Sequence, residues 1–142
     1  MLYGSETWPL KVEQTAKLQR TQASMIRLMC GVKLNERMAS QVLRERLGIE
    51  AIEDVVRRNR LRWFGHVERK EDSSWVKKCM TVEVDGKRPR GRPRLMWRQI
   101  VESDMKKMRL RTADAQDRLK WRNGIWEKPA NPGRPGKNAV KR

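Results

Sequence analysis

The surplus of positive charge restricts the fold of this chain more than any other feature of its sequence. The 142 residues include 34 Lys and Arg against 17 Asp and Glu, which gives a net charge of +17. Because like charges repel one another in a compact chain, such a surplus opposes folding unless a polyanion neutralises it. The same charge steers a protein towards nucleic acid or an acidic membrane surface.

The apolar content allows only a thin core. Apolar residues make up 37% of the chain, whereas an ordinary globular domain has roughly 45–50%. We expect the six Trp to contribute most to this core, since one aromatic side chain can bury about 150–250 Å².

Hydropathy gives no sign of a membrane segment. No apolar run approaches the roughly 20 residues that span a bilayer, and the N-terminal residues lack the basic and apolar regions of a signal peptide. We therefore expect an intracellular protein, nuclear or cytoplasmic and not secreted, without a membrane partner. In such a compartment Cys30 and Cys79 are expected to be reduced thiols.

The spacing of apolar residues predicts a mainly α fold of about five helices joined by short turns. Four of these helices lie within residues 10–30, 40–48, 52–67 and 97–108. Gly31 and Gly48 stand where a left-handed residue commonly ends a helix. The last helix is predicted to begin at the N-cap Thr112 and to carry Leu119 and Trp126 on the same face as Ala115.

The segments outside these helices divide the chain into two parts. A short helical piece is predicted around Trp75, and an extended stretch over residues 81–84. Residues 1–126 are predicted to form one helical nucleic-acid-binding segment. Residues 127–142 contain three Pro, two Gly and no aromatic residue, and this composition predicts a disordered basic tail.

The third helix carries a cluster of arginines beside its apolar stripe. We expect the stripe to run from Ile52 to Val67 and to include Asn59 and Trp63. The helix has four Arg between residues 55 and 67 and no Asp or Glu there, and unbalanced like charge lowers helix stability when nothing binds it. A solvated surface is one interpretation of this cluster, and phosphate contact is the other. The candidate phosphate-binding residues are Arg57, Arg58, Arg60 and Arg62.

A second basic cluster follows at residues 87–94, where five of eight residues are Lys or Arg. Its prolines exclude a regular helix. Residues 89–93 read Pro-Arg-Gly-Arg-Pro, the core of the AT-hook motif, whose arginines can extend along a narrow A·T-rich minor groove. A basic turn that only grips phosphates and a loop packed against its own domain are the alternatives. The candidate nucleic-acid-binding residues of this loop are Lys87, Arg88, Arg90, Gly91, Arg92 and Arg94.

No residue pattern indicates catalysis. Polymerase and nuclease chemistry needs clustered carboxylates that hold two metal ions, and no two of the six Asp are adjacent. Two Cys and one His cannot supply the four ligands of a structural zinc. His66 has no Asp, Cys or Ser at a sequence spacing that suggests a catalytic partner, and it is expected to be a half-buried structural residue. The chain alone is therefore expected to be no enzyme, with no cofactor, no metal and no small-molecule substrate.

Four short sequence blocks, taken in their order along the chain, together resemble one protein family. They are residues 3–8 (Tyr-Gly-Ser-Glu-Thr-Trp), residues 60–67 (Arg-Leu-Arg-Trp-Phe-Gly-His-Val), residues 86–94 followed by Trp97 and Arg98, and residues 115–118 with Trp121 and Arg122. Over about residues 2–126 the chain resembles the C-terminal region of reverse transcriptases from non-LTR (LINE-type) retrotransposons of animals.

The resemblance implies a part of an RNA-directed DNA polymerase that handles nucleic acid but holds no active site. The family's catalytic palm, with its aromatic-x-Asp-Asp motif, is missing from this sequence, and so is the apurinic-type endonuclease. Some relatives carry a Cys/His zinc motif, which this chain lacks. The resemblance thus implies a fragment or remnant whose partners are RNA or DNA and an upstream polymerase domain.

The leading hypothesis is electrostatic binding of RNA, DNA or a hybrid duplex without catalysis. An AT-hook-type architectural DNA-binding protein is one alternative. A helical protein-interaction module, whose apolar faces pair with a missing domain, is the other.

Replacing Arg90 and Arg92 together by Ala should reduce the slope of log K against log salt by about two, because each lost phosphate contact removes close to one unit. The slope is measured by titrating labelled duplex DNA with the chain over a range of NaCl concentrations. An unchanged slope would show that the loop does not touch phosphate. A preference for A·T-rich duplex that Arg90→Ala abolishes would favour the AT-hook alternative.

Overall fold

A computed structural model describes residues 2, 4–33, 35–82, 86, 90–91 and 95–126. These residues form six α-helices and two 3₁₀ turns, with no strand among them. The mainly α fold is therefore confirmed. The helices are α1 (Val12–Met29), α2 (Ser40–Leu47), α3 (Ile52–Glu68), α4 (Trp75–Thr81), α5 (Trp97–Met108) and α6 (Arg118–Trp126), and the 3₁₀ turns are Ser5–Thr7 and Thr112–Gln116.

Two predicted helix ends are confirmed by the backbone. Gly31 and Gly48 have φ values of +66° and +64°, in the left-handed region that a residue with a side chain rarely adopts. The N–H of Gly48 donates to the last-turn carbonyls of Arg44 and Glu45. Both glycines thus end their helices for the reason that the sequence indicates.

A glutamine joins α1 to the start of α3. Gln22, on α1, donates from Nε2 to the carbonyl of Glu50 at 2.8 Å, and its Oε1 accepts the N–H of Ile52 at 3.1 Å. Ile52 is the first residue of α3, where a helix leaves its N–H groups without intrahelical partners. Gln22 therefore provides a hydrogen-bond acceptor for the N–H at the start of α3.

Helix α3 is the central element, because both 3₁₀ turns and α1, α4, α5 and α6 contact it. Its buried residues follow the i, i+4 row from Ile52 through Val56 and Arg60 to Phe64, with three others beside that row. The predicted stripe was only partly correct, because Val55, Asn59 and Trp63 are half-buried. The remaining buried residues of α3 are Leu61, Gly65 and Val67.

Arg60 lies inside the molecule because it occupies this row. It is 6% exposed and forms an ion pair with Asp104 of α5, which is equally buried. Its Nε has no hydrogen-bond partner among the described residues. A buried arginine that loses its carboxylate costs about 3–5 kcal/mol. The sequence placed Arg60 among the phosphate-binding candidates, and this position gives it an internal role instead.

The main core forms where α3, α5 and α6 meet. Its central side chain is Trp121, which is 2% exposed and lies 5.9 Å from Phe64 between ring centroids. The Nε1 of Trp121 donates to the carbonyl of Leu61 at 2.9 Å. The expectation for the tryptophans was only partly correct, because Trp8, Trp75 and Trp126 are exposed. The buried core residues are Leu61, Phe64, Val101, Met105, Ala115, Trp121 and Ile125.

The predicted last helix is two elements. The chain turns out of helical geometry at Asp117, which has ψ 108°. The carboxylate of Asp117 then accepts the N–H groups of Leu119 and Lys120 at 2.9 and 3.1 Å, as an N-cap does. This break changes the helical register, so Leu119 and Trp126 are exposed while Trp121 and Ile125 are buried. The predicted face of this helix was therefore wrong.

Other sequence predictions concern segments that the structure describes only in part or not at all. Residue 81 belongs to α4, so the predicted extended stretch does not begin there. The tail at residues 127–142 and most of the basic loop lie outside the described residues. None of the described helices is both long and apolar enough to cross a membrane.

Replacing Gly65 by Ala should destabilise the fold. A Cβ at this position would stand against Nε1 and Cδ1 of Trp121, far inside van der Waals distance. Overpacking of this kind typically costs about 1–3 kcal/mol, and it would also strain the hydrogen bond to Leu61. Urea unfolding followed by circular dichroism measures the loss.

Gly124→Ala is the matched control for this substitution. Gly124 is also inside a helix, but its added Cβ would meet only the flexible end of the Leu110 side chain. The gain in helix propensity, about 1 kcal/mol, should offset that contact. Equal unfolding midpoints for the two variants would contradict the role of Gly65.

The fold should weaken in acid through Asp114. The hydrogen bond from Lys120 of α6, followed by one from the backbone N–H of Arg111, holds the pKa of the Asp114 carboxyl below its ordinary value. A lowered folded pKa contributes stability above the unfolded pKa, near 3.8, and that stability is lost as the pH falls through the folded value. Urea midpoints measured at pH 7, 4 and 3 should therefore decline less in Asp114→Asn than in the wild type. Glu102→Gln, which removes an exposed carboxylate from α5, should retain the wild-type decline, and an equal decline in both variants would contradict this account.

Candidate nucleic-acid interface

A groove of about 700 Å³ lies between α3 and α6. Its lining comes mainly from one face of each helix. On α3 and its C-cap, residues 58, 62, 66 and 69 recur at intervals of four, four and three, and on α6 residues 118, 122 and 126 recur at intervals of four. These intervals place side chains on one side of a helix. The packing of Trp121 against α3 thus brings two rows of side chains face to face.

Five arginines line this groove, and three of them have neither an ion-pair nor a hydrogen-bond partner among the described residues. Arg62, Arg118 and Arg122 are exposed, and no ion pair involves any of them within the described part of the chain. Glu6, from the first 3₁₀ turn, is the one acidic residue among the described lining residues. The groove therefore carries a strong positive charge.

The other two arginines have partners inside the fold. Arg58 donates from Nη1 and Nη2 to the two carboxylate oxygens of Glu50 at 2.9 and 2.6 Å. This hydrogen bonding, opposed by burial, raises the pKa of Arg58 above its ordinary value. Arg69 donates from Nη1 to the carbonyl of Ala115 at 2.7 Å. Both guanidinium groups hold parts of the groove wall in position.

Aromatic rings alternate with these cations. The rings of Trp63 and His66 are 5.6 Å apart between centroids and tilted by 34°. Trp126 is 58% exposed, and the guanidinium carbon of Arg58 lies 4.0 Å from its ring centroid. The buried Trp121 also lines the groove. A surface that combines arginines with accessible aromatic rings suits the phosphates and bases of nucleic acid.

The structure separates the arginines that the sequence grouped together. Arg62 faces the groove without a carboxylate, and Arg58 lines it while bound to Glu50. Arg57 pairs with Asp54 three residues before it and is not among the groove residues. The acidic partners come from outside residues 55–67, so the absence of Asp and Glu within that stretch overstated its unbalanced charge.

Only two residues of the basic loop can be placed. Arg90 and Gly91 are described, and both are exposed. The other candidates of the loop lie outside the described residues, so the AT-hook interpretation stays a prediction. They are Lys87, Arg88, Arg92 and Arg94.

Four groove residues with a guanidinium or imidazole side chain were not among the sequence candidates: His66, Arg69, Arg118 and Arg122. His66 is exposed and lines the groove, whereas the sequence suggested a half-buried residue. A signal was present, because Arg62 and His66 are one turn apart on α3, as Arg118 and Arg122 are on α6. The pairing of the two helices could not be read from that spacing.

The groove presents hydrogen-bond donors that suit an anion. A guanidinium presents several N–H donors in a planar fork that matches phosphate oxygens. Within the described ranges, no three His, Cys, Asp or Glu side chains are placed to hold a metal ion. Anion binding by Arg62, Arg118 and Arg122 is therefore the chemistry that its geometry supports best.

Comparison with known proteins links the chain to a mobile element. It is similar to a protein of Caenorhabditis elegans whose name describes it as uncharacterized and transposon-derived, with 28% identity over 127 residues. The alignment covers 85% of this chain but 44% of that protein, so the chain spans less than half the length of this relative. No family model matches the chain, and no solved structure matches it.

Proposed function

We propose that this chain is a fragment or remnant of a retrotransposon reverse transcriptase that binds nucleic acid and has no catalysis of its own. The groove between α3 and α6 binds phosphates of RNA or DNA. Arg62, Arg118 and Arg122 neutralise these phosphates, and the basic loop around Arg90 adds further contacts.

The convergence of three arginines that have no partner among the described residues, Arg62, Arg118 and Arg122, carries this proposal. Arg118 and Arg122 are a like-charge pair one turn apart on α6, and such a pair lowers helix stability by about 0.2–0.5 kcal/mol. On α3, Arg62 lies one turn after Arg58, whose charge is compensated by Glu50. The packing of Trp121 then brings these two rows close together, which adds repulsion between helices. A bound polyanion reverses this repulsion, so the same arrangement becomes favourable when phosphate is present.

Two further observations support the retrotransposon origin. One is the similarity to a transposon-derived protein. The other is that residues 60–67, one of the blocks behind the family resemblance, have roles in one structural unit. Within it, Phe64 packs on Trp121, Gly65 makes room for that indole, and Arg62 faces the groove. The block thus contributes both to the core and to the groove.

A charge-removal variant tests the phosphate-binding groove. Arg62→Gln, Arg118→Gln and Arg122→Gln combined should reduce the salt slope of log K by about two on single strands and nearly three on duplex DNA, since a phosphate contact contributes about 0.7 and 0.9 respectively. Fluorescence anisotropy of labelled RNA and DNA, measured from low to moderate NaCl, provides these slopes.

The control variant removes the same charge elsewhere. Lys17, Arg46 and Lys107 are exposed and do not line the groove, and their combined replacement by Gln should change the slope by less than one unit. Equal slopes for the two triple variants would mean that the net charge, and not the groove, binds nucleic acid. A wild-type chain that binds neither RNA nor DNA at low salt would end the proposal.

A protein-interaction module is the second candidate function. Several apolar side chains of α1 are largely exposed, among them Leu28 at 84% and Met29 at 66%. Exposed apolar surface of this kind is typical of a face that pairs with another protein. A wild-type chain without salt-dependent binding would favour this second function, with an upstream polymerase domain as the expected partner.

A further inference from the structure

The indole of Trp126 is an exposed aromatic surface held in a fixed position. It is the last residue of α6, it lines the groove, and 58% of it is exposed. The guanidinium of Arg58 lies over the ring at 4.0 Å from the centroid. Contact at this distance is a cation–π interaction that covers one part of the ring.

Glu50 fixes the plane of that guanidinium. Its two oxygens accept one hydrogen bond each from Arg58, at 2.9 and 2.6 Å, and this two-point geometry sets the orientation of the arginine fork. Glu50 precedes α3 and its carbonyl is bound by Gln22 of α1. A chain of contacts thus runs from α1 through Glu50 and Arg58 to Trp126, and the ring is supported from behind by the folded body.

Trp126 also continues the row of phosphate-binding arginines. Residues 118, 122 and 126 are each separated by four positions on α6, so their side chains follow one another at intervals of about one helical turn, or 5.4 Å. Phosphates at Arg118 and Arg122 would place the next nucleotide of the same strand beside Trp126. Across the groove, the ring pair of Trp63 and His66 offers a second aromatic surface.

We infer that the groove accepts a single-stranded polynucleotide, with an unpaired base stacked on Trp126 and its neighbouring phosphates held by the arginines. The inference rests on the proposed phosphate binding and specifies its substrate class. Every base has a face that can stack on an indole, so this contact tolerates sequence. The bases inside a duplex are covered by their neighbours on both faces and cannot reach Trp126. The groove therefore prefers single strands to duplexes.

Binding to matched single-stranded and duplex DNA tests this preference. The probes are a labelled single strand of about 12 nucleotides, within the site sizes typical of such proteins, and the blunt duplex of the same sequence. At equal salt the wild-type chain should bind the single strand about tenfold more tightly, as expected from one stacked base. Trp126→Leu should abolish most of this preference and leave the salt slope of the single strand unchanged, whereas Trp126→Phe should retain it.

Trp75→Leu is the matched control, because Trp75 is also an exposed tryptophan, at 78%, and does not line the groove. It should bind both probes as the wild type does. Glu50→Gln frees Arg58 of its carboxylate and should strengthen electrostatic binding to both probes, but it should lower the ratio of single-strand to duplex affinity, since the arginine fork then no longer supports Trp126. Circular dichroism of each variant establishes that it is folded.

The outcomes separate this inference from the proposal on which it rests. Tighter wild-type binding to the duplex would overturn base stacking, and so would equal effects of Trp126→Leu and Trp75→Leu. In either case, a salt slope that depends on Arg62, Arg118 and Arg122 would still support phosphate binding. The absence of any salt slope would overturn the phosphate-binding groove itself.

Discussion

The contact of Trp121 with α3 is the interaction on which the rest of this structure depends. The indole of Trp121 donates to the carbonyl of Leu61 and packs on Phe64, and the missing side chain of Gly65 leaves it the necessary room. In a chain with few apolar residues, one large ring that is both buried and hydrogen-bonded contributes a large share of the core. Its position also sets α6 beside α3, which creates the groove.

Arginines on one helix serve three purposes in this protein. Arg60 is paired internally with Asp104, and Arg58 is held by Glu50 and supports Trp126. Arg62 lines the groove, with no carboxylate partner in the part of the chain that the structure describes. The difference follows from where carboxylates lie in space around α3. A basic helix in such a protein is therefore only partly a binding surface, and its remaining arginines contribute to packing and orientation.

One of the blocks behind the resemblance to retrotransposon reverse transcriptases has identifiable roles in this structure. The block at residues 60–67 supplies a groove arginine, a core residue and a close-packed glycine within about one helical turn. In the proposed remnant, this unit provides the basic groove even without the catalytic palm. Under the proposed function, such a remnant would keep the ability to hold nucleic acid after losing the chemistry performed on it.

The sequence by itself determined the mainly α fold and the ends of α1 and α2, because helical periodicity and glycine at a left-handed position are local properties. It also determined the charge surplus. Only the tertiary structure decided which arginines remain free. The partner of Arg60 is 44 residues away, and Arg118 joins Arg62 only because Trp121 packs on α3. The last helix shows the same limit, since the cap formed by Asp117 changed the face that is buried. Pairing between distant segments depends on packing in three dimensions, and no local spacing contains that information.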